Sequence, residues 1–549
     1  MRGPVSLGDV ATGTVKRIKD PVYGYIELPR SLFDSVVDTA EFQRLRRVVQ
    51  TSYAPLYPSA LHNRFVHSLG VYHLGSMAAA ALVRSATGRY GEKAPQGWKD
   101  SLETFRLACL LHDVGHAPFS HTGEDFYREK GHRPSIDDEL KEVVGDPRFS
   151  RDASAAAKEA APHEVMSALV GLERYASVIP DRALFARCIT GYKHAHPRGE
   201  REYLENVLIE LLNSSTIDVD KLDYLIRDAY VIGFDSIVID YVRLLRGIRL
   251  TGREGHPVLA FHKSALSVLE NVVYARDLEK EWVQSHPVIL YEQYLIQRMA
   301  AVVNAALRSD GDLGVFCKQA LTVSGIRLAS GQTLRLMSDD DIIYLSKQMQ
   351  ESDESITEYF DRGKRRHPIW KSEAEFRALF CLEAAEIQEA IDALSAALGG
   401  LSEYLDAKGL GRVINVKTLA TIESKMRALE EQDAKSLLAK ERDEGRDLQD
   451  QHHLLRALHD FSERRETEFD YVLLDQKSFM SGFESGDLGS LKVVFSDRSG
   501  EPSYLLKGLL PSTRLAGESQ RVFCLFHHDA SQGDFPKKEL VDCLKSVFA

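Results

Sequence analysis

Cysteine is scarce in this chain of 549 residues: Cys109, Cys188, Cys317, Cys381, Cys524 and Cys543 lie far apart and form no CxxC pair. That spacing argues against a disulfide framework, so reduced and partly buried thiols are expected. Long apolar runs are missing too. No window reaches about 18 uninterrupted apolar residues, and Met1-Arg2-Gly3-Pro4 opens without an apolar signal core, which predicts a cytoplasmic protein with no membrane role. Basic charge is also in deficit: 69 Lys and Arg face 81 Asp and Glu, a formal charge of -12. Nucleic acid is therefore not expected as a partner coated along the whole chain, although a local basic pocket is compatible with this balance. Hydrophobic residues at 44% and charged ones at 27% describe a globular chain, long enough for two or three domains.

Against this background one stretch stands out: Leu110-Leu111-His112-Asp113-Val114-Gly115-His116-Ala117-Pro118-Phe119-Ser120-His121. An apolar run expected as a buried helix ends in an adjacent His and Asp, and two further His follow around a Gly and a Pro. Imidazole and carboxylate at the end of a buried element need partners, and one divalent metal satisfies several of them at once. Cys109, one turn earlier, reads as a small core residue.

Along the chain, β-branched pieces at Thr14–Ile18 and Tyr23–Leu28 predict a small hairpin before helices begin. Leu32, Val36, Val37, Phe42, Leu45 and Val48 then recur at helical spacing, with Arg44, Arg46 and Arg47 on other faces, where solvent or a phosphate would meet them. Pro55 and Pro58 mark a loop. After it, His62 and His67 straddle the start of a helix running toward Arg84, five residues apart and so not on one face. Residues 131–162, polar and Ala-rich, read as a mobile insertion or lid, and His163-Glu164 then opens an amphipathic helix. In Ile217–Asp228, Asp220, Lys221, Tyr224 and Asp228 fall close to one helical face, where Asp220 supplies a further carboxylate. Trp282 sits in a strongly helical stretch and reads as core, and His452-His453 beside a charged helix does not read as a metal site. Short strands follow Thr467, at Phe469–Leu474, Leu491–Phe495 and Arg521–Phe526, before a last helix near Lys537–Phe548; no nucleotide-binding glycine motif occurs among them. The expected architecture is mainly α: a core over 1–310 that includes the hairpin, a helical extension over 311–465, and a small α/β module over 466–549.

Taken together, His67, His112, Asp113 and Asp220 offer two imidazoles and two carboxylates, the mixed set that suits a transition metal or Mg. His67…His112-Asp113…Asp220 resembles the signature of the HD-domain phosphohydrolases. Five stretches in order carry a closer likeness: Ile18–Leu28, Thr39–Arg46, His62–Val71, His112–His121 and Ile217–Tyr224 resemble the deoxynucleoside triphosphate triphosphohydrolases, the group that includes dGTPase-like bacterial proteins.

That resemblance implies an all-helical core, a divalent metal held by His67, His112, Asp113 and Asp220 (Mn or Mg favoured over Fe, Zn or Ni), and a dNTP substrate cleaved to deoxynucleoside and intact triphosphate. His116, His121 and His163 become the acid/base residues, because an ordinary imidazole pKa near 6.5 suits proton transfer at neutral pH. His121 is the expected proton donor, and Glu124, where the family often has Asp, would orient a His. Arg64, Lys221 and Arg276 map onto positions that hold phosphates, Tyr224 and Asp228 onto deoxyribose contacts, and Gln50 onto a further sugar contact. Lys280 stands where the family has a substrate-binding His, and Gln284 where the animal enzyme has an aromatic residue. The resemblance also implies a homo-oligomer with nucleotide effectors at subunit interfaces, for which Asp20, Arg44 and Arg47 are candidates. Two alternatives remain at this point: another HD phosphohydrolase acting on nucleoside monophosphates, cyclic nucleotides or a nucleic-acid end, and a nucleotide-sensing protein whose site is vestigial.

Overall fold

A computed structural model describes residues 15–90, 98–128, 135–234, 237–252, 256–307, 315–328, 330–349, 353–380, 398–403, 405, 412–430, 439–476, 491–495, 503–509, 522–531 and 535–546. Residues 1–4, Thr14, residues 131–134, Cys381, Arg521 and Phe548 lie outside this set. The fold is mainly α. The chain divides into two compact units that interleave along the sequence, Met1–Glu279 with Met299–Met349 and Ser481–Gly517, and Lys280–Arg298 with Gln350–Met480 and Glu518–Ala549.

The first unit begins with the expected hairpin. Val15–Asp20 pairs antiparallel with Gly24–Pro29, and Gly24 takes the left-handed φ of 80° that closes the turn. The helical period that follows is broken into short pieces, a wide turn at Phe33–Val37 and a helix at Ala40–Arg44. The helix Arg64–Tyr90 crosses the core. A 24-residue part of it has a mean hydropathy of 1.3 in its most apolar window, 72% of that window buried inside the structure, as the central helix of a packed core is. Against it pack Trp98–Leu111 and Val219–Ile232. Leu69, Tyr72, Leu82, Phe105, Leu110, Leu111 and Leu225 are all buried there, and this apolar density fixes the helix ends that carry polar groups.

Residues 135–155, expected as a lid, form two capped helices. Ser135 accepts from the Asp138 amide to start Ile136–Val144, Gly145 ends it in the left-handed region, and Asp146 with Pro147 at once starts Pro147–Ala155. Lys318 pairs with Glu139 of the first of these helices and with Glu173. The unit also holds a four-stranded sheet in the order Ser503–Leu505, Lys492–Val494, Val258–His262, Ile248–Thr251, with the central pair parallel.

In the second unit, His367–Pro368, Val522–His527, Asp470–Gln476 and Val413–Asn415 form an antiparallel sheet in that order. Trp370, Ile414, Leu454, Leu458, Tyr471, Leu473, Phe523, Leu525 and Leu540 make its core, and Trp370 donates its indole N–H to the Phe523 carbonyl at 2.8 Å. The strands expected after Thr467 are therefore present, but they serve two sheets in two units. Residues 311–465 hold short strands besides helices. Trp282, expected in a core, is 52% exposed.

Candidate metal centre and acid/base cluster

His67 and Asp220 come from helices that pack side by side, and His112 and Asp113 emerge where the Trp98–Leu111 helix ends. Asp218 caps the Val219–Ile232 helix by accepting from the Lys221 amide, and Gly233 ends it in the left-handed region. The cap holds Asp220 in the first turn. The structure brings all four predicted ligands together: His67 Nε2 lies 2.9 Å from Asp220 Oδ1, 3.5 Å from Asp113 Oδ2 and 3.2 Å from His112 Nε2. His112 Nε2 lies 3.4 Å from Asp113 Oδ1 and 3.5 Å from Asp220 Oδ1.

Whether these groups fit a metal follows from their other hydrogen bonds. His112 Nδ1 lies 3.0 Å from the Cys109 carbonyl, which can only accept, so that nitrogen carries the proton. His67 Nδ1 lies 2.8 Å from Asp223 Oδ2 and donates to it in the same way. In the neutral tautomers both Nε2 atoms are then bare lone pairs, facing each other and two carboxylates. Apart from the Arg64 N–H on Asp113 Oδ2, these acceptors converge without a donor and repel unless a cation sits among them, and separations near ~3 Å match the edges of a coordination shell with ~2.1 Å bonds. The titration of the bare chain points the same way: burial alone would lower the His67 pKa, yet hydrogen bonds to Asp220 and Asp223 raise it to about 10. Burial raises Asp113, but Arg64, His112 and His67 hold it at about 2. The donor set thus fits a divalent ion.

Beside it lies a second group. His116, fully buried, has neither ring nitrogen in a hydrogen bond, and burial followed by the Arg64 charge depresses its pKa well below the ordinary value. It is a neutral imidazole whose Nε2 lies 3.5 Å from Asp113 Oδ1 and whose Nδ1 lies 3.9 Å from Glu124 Oε1, neither in hydrogen-bond geometry. The His163 ring stacks on it at 4.3 Å and 11°. Glu124 joins His163 Nδ1 at 2.8 Å and makes a short contact with His121 Nδ1. Although burial opposes a charged ring, Glu124 lifts the His163 pKa to about 9. His121 is 68% exposed at the side chain, the member of the group most open to solvent. His116, His121, Glu124 and His163 thus form one cluster, each offering an atom within 4.8 Å of the others.

The expected substrate contacts are placed less freely. Arg64 is buried, donating to Asp113 Oδ2 at 2.9 Å, to Ser120 Oγ at 2.8 Å and to the Gln50 carbonyl at 3.4 Å. Gln50 is buried with its amide oxygen unpartnered. Lys221 Nζ donates to the Ser214 carbonyl at 2.7 Å and to Asp218 at 2.6 Å, and Arg276 donates to the Ser215 carbonyl at 3.4 Å, so both cations stand on the same loop. Tyr224, whose phenol is pushed well above its usual pKa by burial, lies within electrostatic reach of Arg276 and Asp220. Asp228 is buried and paired with His62 Nε2 at 2.7 Å. Of the effector candidates, Asp20 and Arg44 are buried and only Arg47 is exposed, beside Asp340 at 3.3 Å.

Three residues that the sequence reading did not assign to the site support it from within the same unit. Arg44 donates to the carbonyls of Met337 at 2.8 Å, Val114 at 3.1 Å and His116 at 2.8 Å, so it is an internal brace and not a solvated face. Asp339 accepts from the Phe119 amide at 2.6 Å and from the Val49 amide at 2.8 Å. Phe119 and Ser120 both take left-handed φ values, 58° and 54°, strain that these bonds offset and that aims His121. Gly115 lies against the His163 helix so closely that a Cβ would stand 2.4 Å from the Met166 carbonyl carbon, and its amide donates to Ser167 Oγ at 3.0 Å.

A helical bundle whose ends bring two imidazoles and two carboxylates onto one point is the architecture of an HD domain, and residues 64–208 match that family. Over about half its length the chain is similar to deoxynucleoside triphosphate triphosphohydrolases. It is 30% identical over 289 residues to the deoxynucleoside triphosphate triphosphohydrolase SAMHD1 of Danio rerio, covering 51% of this chain and 44% of that protein. The SAMHD1 homolog of Dictyostelium discoideum is 33% identical over 247 residues, 42% of this chain and 39% of its own length. The uncharacterized protein YwfO of Bacillus subtilis is 29% identical over 287 residues, 52% of this chain and 55% of its own length. The chain spans about half the length of the curated relatives it matches.

Proposed function

We propose that the chain hydrolyses deoxynucleoside triphosphates to deoxynucleoside and inorganic triphosphate with a divalent metal, Mn or Mg, at His67, His112, Asp113 and Asp220. The observation that carries this reading is the juxtaposition of that donor set with an unpartnered neutral His116 and a charged His163–Glu124 pair. The likeness to named triphosphohydrolases supports the substrate. When bound, the ion supplies Lewis-acid polarisation of the α-phosphate.

The chain's own residues do the rest. Water attacks the α-phosphorus and gives up a proton to solvent as its oxygen bonds to phosphorus, the bond from phosphorus to O5′ breaks, and the leaving O5′ takes a proton from an imidazole of the cluster, which solvent later restores. His121, open to solvent and fixed by Glu124, is placed to give it, and His163 is the second proton reservoir on the same carboxylate. His116, neutral and unpaired, can donate one edge to a phosphate oxygen. Lys221 and Arg276, whose side chains meet the Ser214-Ser215 loop, offset the charge that builds on the triphosphate, and Tyr224 offers a ring for the sugar. The pairing of Asp228 with His62 leaves its carboxylate partly engaged, so a 3′-hydroxyl would share it. By the same resemblance, we propose a homo-oligomer that responds to nucleotide effectors.

The test is product analysis by ion-exchange chromatography after incubating the full chain with the four dNTPs, singly and mixed, and with rNTPs, in Mn or Mg. Deoxynucleoside and intact triphosphate are expected, and are lost in His112→Ala/Asp113→Ala. Activity only in mixtures would show effector control. Absence of triphosphate under every mixture would overturn the reading and favour nucleoside monophosphates or nucleic-acid ends.

A further inference from the structure

The metal ligand His67 does not stand alone on its far side. Its Nδ1–H donates to Asp223 Oδ2, and that carboxylate, fully buried, accepts three more hydrogen bonds: Arg227 Nε at 2.9 Å and Nη2 at 3.0 Å, and the Tyr23 hydroxyl at 2.7 Å. Every lone pair of Asp223 is used. Tyr23 belongs to the turn of the N-terminal hairpin, two hundred residues away in sequence. The same turn is tied by Asp20, whose Oδ1 accepts from the amides of Val22 and Tyr23, each at 2.9 Å, while its Oδ2 accepts from Arg227 Nη1 at 2.9 Å. Hairpin, Arg227 and Asp223 thus form one closed polar frame behind His67. Gly70, one turn beyond His67, makes room for it: a Cβ there would stand 1.9 Å from Asp223 Oδ1.

From this frame we infer that the hairpin is an outer layer of the metal centre, in which Tyr23 and Asp20 are positioning residues that hold Asp223, and through it His67, and so set how long the ion is retained. It rests on the metal reading above, though not on which nucleotide is turned over. The physical reason is general. A partner that fixes the ring orientation and tautomer of a ligating His governs affinity, typically by ~10–100-fold when removed. Tyr23 donates to the oxygen that His67 does not use, so its loss lets the carboxylate rotate while leaving the ligand itself intact.

The experiment measures metal retention, not turnover. The full chain is loaded with Mn(II), challenged with excess chelator, and ion loss is followed with time in wild type, Tyr23→Phe and Asp20→Asn. Tyr25→Phe, on the same hairpin and 60% exposed, is the control. Far-UV circular dichroism and melting show that each variant is folded. Tyr23→Phe and Asp20→Asn are expected to lose Mn about tenfold faster at unchanged secondary structure, with Tyr25→Phe matching wild type. Release from Tyr23→Phe within twofold of wild type overturns the inference. Should Tyr23→Phe not fold, Asp20→Asn decides by the same criterion. A wild type that takes up no Mn overturns the inference together with the metal reading. Mn retention that depends on Tyr23 in a chain producing no triphosphate would sink the proposed reaction alone.

Discussion

Glu124 is one carboxylate serving two imidazoles, and that arrangement has a pH signature. His163 rises from 6.5 to about 9 because Glu124 holds its charged form against the cost of burial. A raised histidine stabilises the fold fully below pH ~6.5, and that contribution is lost as pH rises through ~9, at most about 3 kcal/mol. Glu124→Gln is therefore expected to flatten the fall in melting temperature between pH 6.5 and 9.5, measured by thermal unfolding at a series of pH values. An unaltered slope would mean the pair is not ionised as drawn. The candidate ligands His112 and Asp113 are legible at this scale because they end an apolar run that has no other use for them. Asp223 is not: it sits beside Leu222 in a helical pattern, and its partners His67 and Tyr23 lie 156 and 200 residues away. Arg44 misled for the opposite reason, since a run of three arginines normally faces solvent and here three carbonyls bury the first of them.

Among the elements, the Val219–Ile232 helix was readable from its polar face, and its cap explains why that face is placed. Asp218 accepts from the amides of Lys221 at 2.8 Å and Ser214 at 2.9 Å and also pairs with Lys221 Nζ. Asp218→Ala should cost about 1–2 kcal/mol and free Lys221 from the loop, read as a lower denaturant midpoint with weaker substrate binding. The loop at Phe119–Ser120 is a sharper case. Two adjacent left-handed residues cost about 1–3 kcal/mol each, and Asp339 accepts the amide of the first. Asp339→Ala leaves the Phe119 and Val49 amides unpaired, so kcat should drop by one to two orders of magnitude with the metal still bound. Equal loss of metal and rate would show instead that the whole centre collapses. Nothing in the local pattern announces Asp339, because a three-Asp helix start reads as an ordinary capping signal. The two helices within 135–155 start at ordinary caps, Ser135 and Asp146-Pro147, signals that an Ala-rich polar composition masks in the sequence.

At the scale of the whole molecule, helix period shows where elements are, but not which strand pairs with which. Division of the chain at 310 and 465 followed changes in composition, whereas the structure assigns 299–349 and 481–517 to the unit that carries the site. The consequence is physical. A fragment 1–310 keeps all four candidate ligands and the whole His116, His121, Glu124, His163 cluster, yet lacks the Met337 carbonyl that receives Arg44 and the Asp339 carboxylate that holds Phe119 and Val49. A fragment 1–349 regains both but still lacks Lys492–Val494, leaving the Val258–His262 strand with an open, apolar edge prone to pairing with another chain. Limited proteolysis with mass spectrometry should therefore find the 114–121 loop cut readily in 1–310 and protected in 1–349 and in the full chain, while gel filtration shows 1–349 aggregating. If 1–310 resists cleavage and retains Mn like the full chain, the later segment is not what holds the loop, and the strain at Phe119 and Ser120 must be borne by the first 310 residues alone.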